Sequence, residues 1–467
     1  MKREKKYSAL KKEKKKFEKK DLYSNLNLRL LSAQALKEVF FDKKKLKNVV
    51  DEIQEKLKKE SDRALLKEIV YGALRNVPFL DFAIENLINK EISETDPYLL
   101  SLLRIGAYQI FFLERVPDYA IVNECVNAAK LLGFYKATGF VNTVLRKMLL
   151  NKDEIYSLSY SKPFPYSLVY KYGMPLWIIK RYVERFGEEE AEEILDSLNK
   201  EPLNSILFFS INDYISSLED LKDLQLEKND YLDLTYWVKK GNPAKNKAFK
   251  KGHFYICDPS SQLPALILPL FPNTFSLDLC AAPGTKTIII SKKIPQNSFL
   301  FSSDFSKGRL EKLKENKEKY SLKNVFITAG DLVNGLCFKE NFYSVLLDAP
   351  CSSMGTLKRN PEIRWQIDEE KIQKESERQL KMLMKAGDCV QQGGYLLYSV
   401  CSMEEEETLD VVENFLKENK QFEKEKLNFD RKIKKNLTQI DKSMYLIKPN
   451  KFKGDSFFIA LFRKKNG

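Results

Sequence analysis

From about residue 22 to residue 150 the apolar positions recur every three or four residues. Leu28, Leu31, Ala35, Leu36, Val39 and Phe40 fall on one stripe, as a helix burying one face requires. The same spacing runs through 62–75 (DRALLKEIVYGALR), 98–113 (YLLSLLRIGAYQIFFL) and 119–132. No two-residue alternation interrupts these blocks, which predicts an all-α bundle over 22–150. Pro163, Pro165 and Pro175 punctuate 151–175 as a linker. A helix is predicted over 176–199, followed by a short apolar run at 205–211 and a polar stretch ending near Lys251. Residues 151–251 thus read as a linker and a small α+β module. From 252 onward, short apolar runs alternate with helical segments: 275–280, 299–303, 324–328, 343–348 and 394–400. Near-continuous apolar strands separated by helices predict an α/β domain over 252–467, with a mostly parallel sheet covered on both faces.

Composition narrows the chemistry. Residues 1–21 are dominated by lysine and predict a disordered basic tail. The formal charge of +14 points to a polyanionic partner, because phosphates neutralised by lysine and arginine release counterions. No apolar run is long enough to span a membrane and no apolar core follows the N-terminal charges, so a cytoplasmic address without a membrane partner is expected. The seven cysteines are scattered, none at C-x-x-C spacing, and suggest neither a disulfide framework nor a metal site. His253 is the single histidine, which removes Ser-His-Asp triads, Cys-His dyads and histidine-ligated metals. Catalysis would fall to cysteine, carboxylate, lysine or tyrosine. Cys125, Cys257, Cys337 and Cys389 read as small buried hydrophobes.

The strand ends hold the candidate chemistry. In 277–287 (LDLCAAPGTKT) an apolar strand enters a turn of small residues with Pro283 and Gly284, then a helix. Such a turn lets backbone approach a ligand, with the free N–H groups of a helix start facing it. It is neither a P-loop nor G-x-G-x-x-G. Asp304, Asp331 and Asp348 end successive strand regions. Each alone could be a helix cap, but together they outline the ligand crevice of a doubly wound sheet, with Asp304 placed to meet the ribose hydroxyls of an adenosine-bearing cofactor. The segment 348–365 (DAPCSSMGTLKRNPEIRW) puts Asp348 and Cys351 at the sheet's carboxyl edge, then offers Lys358, Arg359, Arg364 and Trp365 as charges and a ring for RNA. YSVCS (398–402) sets Cys401 at the end of the next strand.

These three motifs resemble those of the Sun/NOL/NOP family of RNA cytosine-5 methyltransferases. RIGAYQIFFLERVPDYAIVNECVNAAK (104–130) and GFVNTVLRKML (139–149) resemble the NusB-like RNA-binding front end of its bacterial ribosomal-RNA branch, and CDPSSQL (257–263) and GDSFFIALFRK (454–464) extend the likeness. The resemblance implies a Rossmann-like S-adenosylmethionine methyltransferase domain preceded by an all-α NusB-like domain and the small α+β module. It implies that Cys280, Ala281, Ala282, Pro283, Gly284, Thr285 and Lys286, with Asp304, Arg309, Asp331 and Asp348, surround S-adenosylmethionine. Cys401 becomes the nucleophile and Cys351 the residue assisting release, with Asp348 and Lys286 against the base. The expected partner is small-subunit ribosomal RNA, free or partly assembled, met by a monomer without metal. Three departures bear on helix capping and RNA docking. Glu405, Glu406, Glu407 and Thr408 stand where the family often has Pro and then Glu-Glu-Asn. Ser210-Ile211-Asn212 replaces Arg-Val-Asn, and Asp455-Ser456-Phe457-Phe458 replaces Asp-Gly-Phe-Phe.

Two cysteines suit this chemistry. A thiolate adding to carbon 6 of cytosine makes carbon 5 nucleophilic enough to take a methyl group. Asp348 at the N3 and amino edge would stabilise the adduct, and a second thiol can serve the proton removal that lets the first depart. By analogy with DNA cytosine-5 methyltransferases the Pro-Cys pair would make Cys351 the nucleophile, whereas the RNA family's second cysteine argues for Cys401. The competing readings are a NusB-like RNA-binding or ribosome-assembly factor with a retired catalytic domain, and a methylase of another RNA or of DNA.

Overall fold

The computed structural model describes residues 27–89, 91–335, 338 and 341–466; the basic tail over 1–21 and Cys337 lie outside them. The chain forms two compact units, one running through Leu195 and including Asn360–Gln366, the other formed by Asp196–Arg359 and Ile367–Gly467.

The first unit is helical. Helices span Leu28–Phe40, Leu46–Lys56, Glu60–Arg75, Val77–Glu85, Pro97–Phe112, Asp118–Leu131 and Thr138–Leu150. Asn27 starts the first one by accepting from the N–H groups of Arg29 and Leu30, satisfying donors that a helix start leaves unpaired. The stripe Leu31, Ala35, Leu36 and Val39 is buried as predicted, against a core including Ile69, Leu102, Leu103 and Ile105. Gly106 permits close helix contact, since a Cβ there would meet Leu145 Cδ2 at 2.7 Å. Arg104, almost fully buried, forks onto Asp81 at 2.6 and 2.7 Å.

The helix predicted over 176–199 breaks at Gly187, whose φ of +76° ends Leu176–Phe186 before Glu188–Asn199 begins. The predicted module boundary at 251 also moves. Helices up to Leu195 belong to the first unit, whereas β1 (Asn204–Phe208), β2 (Gln225–Lys228), β3 (Thr235–Lys240) and β4 (Phe254–Ile256) belong to the second. They form a sheet of order β2-β3-β1-β4. Its inner residues Ile206, Phe208, Val238 and Phe254 pack together, while Leu207 and Leu232 join the core of a second, larger sheet. That shared core is why the two sheets form one unit.

The larger sheet contains β5 (Phe275–Leu279), β6 (Phe299–Asp304), β7 (Val325–Ala329), β8 (Phe342–Asp348), β9 (Val390–Val400), β10 (Phe422–Lys424), β11 (Thr438–Gln439), β12 (Met444–Ile447) and β13 (Phe457–Lys464). Among the described residues its order is β11-β12-β13-β9-β8-β5-β6-β7, with β10 pairing β13. β7, β6, β5, β8 and β9 are parallel neighbours, and β13 pairs β9 antiparallel. The chain order reverses between β5 and β8, the topological switch point where a doubly wound sheet opens a crevice.

Two polar clusters built on buried carboxylates hold this unit together. Arg359 bridges Asp258 (2.7 Å) and Asp455 (3.1 Å), binding three distant segments to one guanidinium. Asp258 also accepts from the Ser260 and Asp455 N–H groups. Deep in the sheet, the Asp278 carboxyl accepts from the Thr287 hydroxyl at 2.6 Å, tying β5 to the helix Thr285–Lys293. Burial pushes Asp278 up to about 7 against the opposing Thr287 bond.

Arg359→Ala strands two buried carboxylates and is expected to destabilise the protein by ~3–5 kcal/mol in chemical denaturation, with Arg359→Lys recovering part of the loss. Asp278 binds its proton more tightly folded than unfolded, so its contribution to stability falls as pH rises from ~4 to ~7. The stability difference between Asp278→Asn and the native chain should therefore shift toward the variant by ~2–4 kcal/mol across that range, measured by denaturation at each pH.

Candidate active site

A cavity of about 600 Å³ opens at the carboxyl edge of the parallel strands, around the switch point. Its wall takes Cys280 and Ala282 from the turn after β5, Asp304, Phe305 and Arg309 beyond β6, Asp331 to Asn334 beyond β7, Asp348 to Cys351 beyond β8, and Cys401 beyond β9. The crevice predicted from three strand-end carboxylates is thus assembled. Ala281, Pro283, Gly284, Thr285 and Lys286 do not line it. Gly284 caps the helix Thr285–Lys293 at φ +114°, where a Cβ would meet Leu313 Cδ1 at 2.6 Å, and the Thr285 hydroxyl lies 3.3 Å from that of Tyr255.

Asp304 is buried and accepts from the N–H groups of Ala282 (3.1 Å) and Ser306 (2.8 Å) and from Arg309 Nη2 (3.0 Å), which ties the cofactor turn to β6. Asp331 accepts from the Asn334 side chain and from the N–H groups of Asn334 and Val333, bonds that hold its carboxyl below the usual range.

The two candidate cysteines meet. Cys351 Sγ lies 3.2 Å from Cys401 Sγ. β8 and β9 run in parallel register with Asp348 opposite Ser399, so the residues just past both strands arrive side by side. Gly355 locks the arrangement: its N–H donates to the Cys401 carbonyl and its carbonyl accepts from the Ser456 N–H, each at 2.9 Å. A Cβ there would collide with the Ser456 and Cys401 carbonyl oxygens. The hydrogen bond with Cys401, followed by burial, pushes the Cys351 thiol well above its ordinary value.

Lys286 Nζ pairs with Asp348 Oδ2 at 2.6 Å and lies 5.2 Å from the Phe457 ring centroid. Asp348 Oδ1 accepts from the Ser399 hydroxyl at 2.7 Å. Burial acts to lower Lys286, but the Asp348 charge and hydrogen bond outweigh it and hold the ammonium above its ordinary value. Cys401 also faces this cation.

The four side chains expected to meet RNA do not form an exposed surface. The Lys358 ammonium is buried and donates to Ser197 Oγ at 3.3 Å, with burial lowering its pKa. Arg359 is the bridge between Asp258 and Asp455. Arg364 is 1% exposed, donates to the Gly173 carbonyl at 3.0 Å and is lowered to about 9, chiefly by burial and then by Arg75. The Trp365 indole donates to the Leu74 carbonyl at 2.8 Å and packs on Phe40. Polar type alone did not reveal that this segment buries its cations on carbonyls and carboxylates.

Sequence pattern also missed groups along the cavity. Phe305 lines it with an exposed ring. Lys374, Glu377, Arg378, Lys381 and Met382 reach it from the helix Glu369–Asp388, and their spacing of three and four was the signal available. Of the other cysteines, Cys125 and Cys389 are buried and Cys257 is partly so. Among the described residues no helix is long and apolar enough to cross a membrane.

Known proteins share this architecture. The 16S rRNA methyltransferase RsmB/F family model matches residues 265–463, and the NusB family model matches residues 26–150. The Bacillus subtilis (strain 168) protein named "Probable ribosomal RNA small subunit methyltransferase B" is 30% identical over 415 residues, covering 87% of this chain and 91% of that one. Ribosomal RNA small subunit methyltransferase B of Proteus mirabilis (strain HI4320) is 28% identical, covering 95% and 100%. The crystal structure of PH0851 has the same fold, with a TM-score of 0.74 at 24% identity over 94% of this chain and 99% of that one. With a helical NusB-like unit, a Rossmann-like sheet and full-length similarity to these enzymes, the chain belongs to the ribosomal RNA small subunit methyltransferase B family.

Proposed function

We propose that this protein methylates carbon 5 of a cytosine in small-subunit ribosomal RNA, with Cys401 as nucleophile and Cys351 assisting its release. The carrying observation is the pair of thiols 3.2 Å apart beside the Lys286–Asp348 ion pair. A methyltransferase acting on oxygen or an exocyclic nitrogen has no use for two adjacent cysteines. Methylation at carbon 5 needs one sulfur to add to the ring and a second group near it to handle a proton.

The charges around the pair support the division of roles. Cys401 faces the Lys286 ammonium, which sets a positive charge beside the proposed nucleophile. Cys351 lies near Glu407 and keeps its proton, 3.2 Å from the Cys401 sulfur. Cys401 then adds to carbon 6, and the electron pair moves to carbon 5. Asp348, fixed by Lys286 and Ser399, accepts from the amino group of the base. After methylation the carbon 5 proton passes to water, while the Cys351 thiol donates a hydrogen bond to the Cys401 sulfur that must depart. The carbon 6–sulfur bond breaks and its electrons return to Cys401.

The cavity fits S-adenosylmethionine in size, within the ~300–1,000 Å³ of small-molecule sites, and in chemistry. Asp304 suits a ribose diol, the exposed Phe305 ring suits stacking on adenine, and Asp348 suits a cationic end. S-Adenosylmethionine supplies an electrophilic methyl group when bound. The +14 charge and the match to the NusB family support a ribosomal RNA substrate held by phosphate contacts. With Arg364 buried and Trp365 partly so, the exposed Lys374, Arg378 and Lys381 beside the cavity are the better candidates for phosphates flanking the target base. An extruded or unpaired cytosine is the substrate such a pocket requires. An RNA substrate fits a cytoplasmic address.

Cys351→Ala, given ribosomal RNA and S-adenosylmethionine, should accumulate a covalent protein–RNA adduct on denaturing gels, while Cys401→Ala gives neither adduct nor product. The reverse pattern would exchange the roles. Replacing Lys374, Arg378 and Lys381 with Gln together should weaken RNA binding at least tenfold while cofactor affinity holds. The slope of log affinity against log salt should fall by ~2, as for three single-strand phosphate contacts; an unchanged slope would remove this helix from the RNA path.

A further inference from the structure

In sequence Glu407 is one member of an acidic run, and the structure assigns it a particular place. Burying a carboxylate is costly unless its oxygens are satisfied. Glu405 is exposed, whereas Glu407 is fully buried. Its Oε1 accepts from the Ser352 N–H at 2.7 Å and from Gln379 Nε2 at 3.0 Å, and its Oε2 accepts from the Ser352 hydroxyl. Gln379 Nε2 also donates to the Pro350 carbonyl at 3.0 Å. The residues on both sides of Cys351 are therefore tied to one carboxylate–amide pair. Tyr398 closes the network, its hydroxyl bonded to Gln379 Oε1 and the Glu407 carbonyl.

All donors to the Glu407 carboxylate are neutral, and no ion pair to it forms among the described residues. Its charge is thus left facing Cys351, with Tyr398 as the other ionisable neighbour. Across the pocket Cys401, Lys286 and Asp348 complete the charged surroundings of Cys351. The result is an asymmetric field, with the Lys286–Asp348 ion pair on the Cys401 side and a carboxylate without a cationic partner on the Cys351 side.

We propose that Glu407 is a positioning residue that fixes the Cys351 loop and keeps Cys351 as the proton-bearing thiol of the pair. This rests on the two-cysteine mechanism and deepens it, explaining why chemically identical side chains 3.2 Å apart take different roles. Gln379 and Ser352 act through Glu407, and none of the three needs to touch the substrate.

Glu407→Gln keeps the shape and removes the charge. In RNA-free protein, iodoacetamide labelling of Cys351 followed by peptide mass spectrometry should rise about tenfold at pH 8, as its titration moves to lower pH. In single-turnover assays the variant should bind S-adenosylmethionine normally and form adduct at the native rate. Release should slow, so that covalent complex accumulates at least tenfold above the native level. Ser352→Ala, which leaves the carboxylate and the main-chain bond, should label as the native protein does. Unchanged Cys351 labelling and release in Glu407→Gln would overturn the proposal. So would a Ser352→Ala shift equal to that of Glu407→Gln, or joint loss of cofactor binding and adduct formation in Glu407→Gln, since each would leave Glu407 a purely structural role. If the labelling shift is present but native protein makes no 5-methylcytosine, the two-cysteine mechanism falls while the control of Cys351 by Glu407 stands.

Discussion

Sulfur atoms on residues fifty positions apart meet at 3.2 Å because β8 and β9 are parallel and in register. A slip of one residue would turn the side chains of one strand to the other face and separate the thiols. The register is held past the strand ends as well, by the Ser399–Asp348 bond and by Gly355 clasped between the Cys401 and Ser456 backbones. Arg359 fastens the adjoining segment through Asp258 and Asp455, so the loop after β8 is fixed at both ends. The cavity, the ion pair and the carboxylate behind Cys351 all take their positions from this pairing of strands.

The same arrangement separates electrostatic tasks that sequence leaves merged. Asp304 is engaged by backbone donors and Arg309, so it stiffens the turn that borders the cofactor space. Asp348 shares its charge with Lys286. Glu407 is buried without a cation and acts on the neighbouring thiol. Three carboxylates, two on the cavity wall and one buried behind it, thus sit in different settings because their partners differ, one bound to backbone and arginine, one to lysine and one to neutral donors.

Much of the catalytic unit was legible because buried parallel strands are short apolar runs ending in polar residues. β5, β6, β7 and β8 fall within a residue of the predicted runs, and the strand-end residues Asp304, Asp331, Asp348, Cys351 and Cys401 converge on one cavity. The helical stripe beginning at Leu28 was legible for the same reason at a different period. What escaped was non-local. Gly187 lies inside the helix predicted over 176–199 but stops it through its positive φ. Arg364 and Trp365 read as a surface for RNA, yet distant carbonyls and Phe40 engage them. β2 and β4 are too short to show a period, and Glu407 is set apart from Glu405 only by which side of its turn packs inward.

Methylation at carbon 5 is the central chemical claim, and it carries an atom balance that methylation elsewhere on the base does not. The direct measurement uses ribosomal RNA carrying tritium at carbon 5 of its cytosines, incubated with the native protein and S-adenosylmethionine. Tritium released to water is counted against methyl groups transferred. One tritium per methyl is the predicted result, with neither seen in Cys401→Ala; methyl transfer without tritium release would contradict the account.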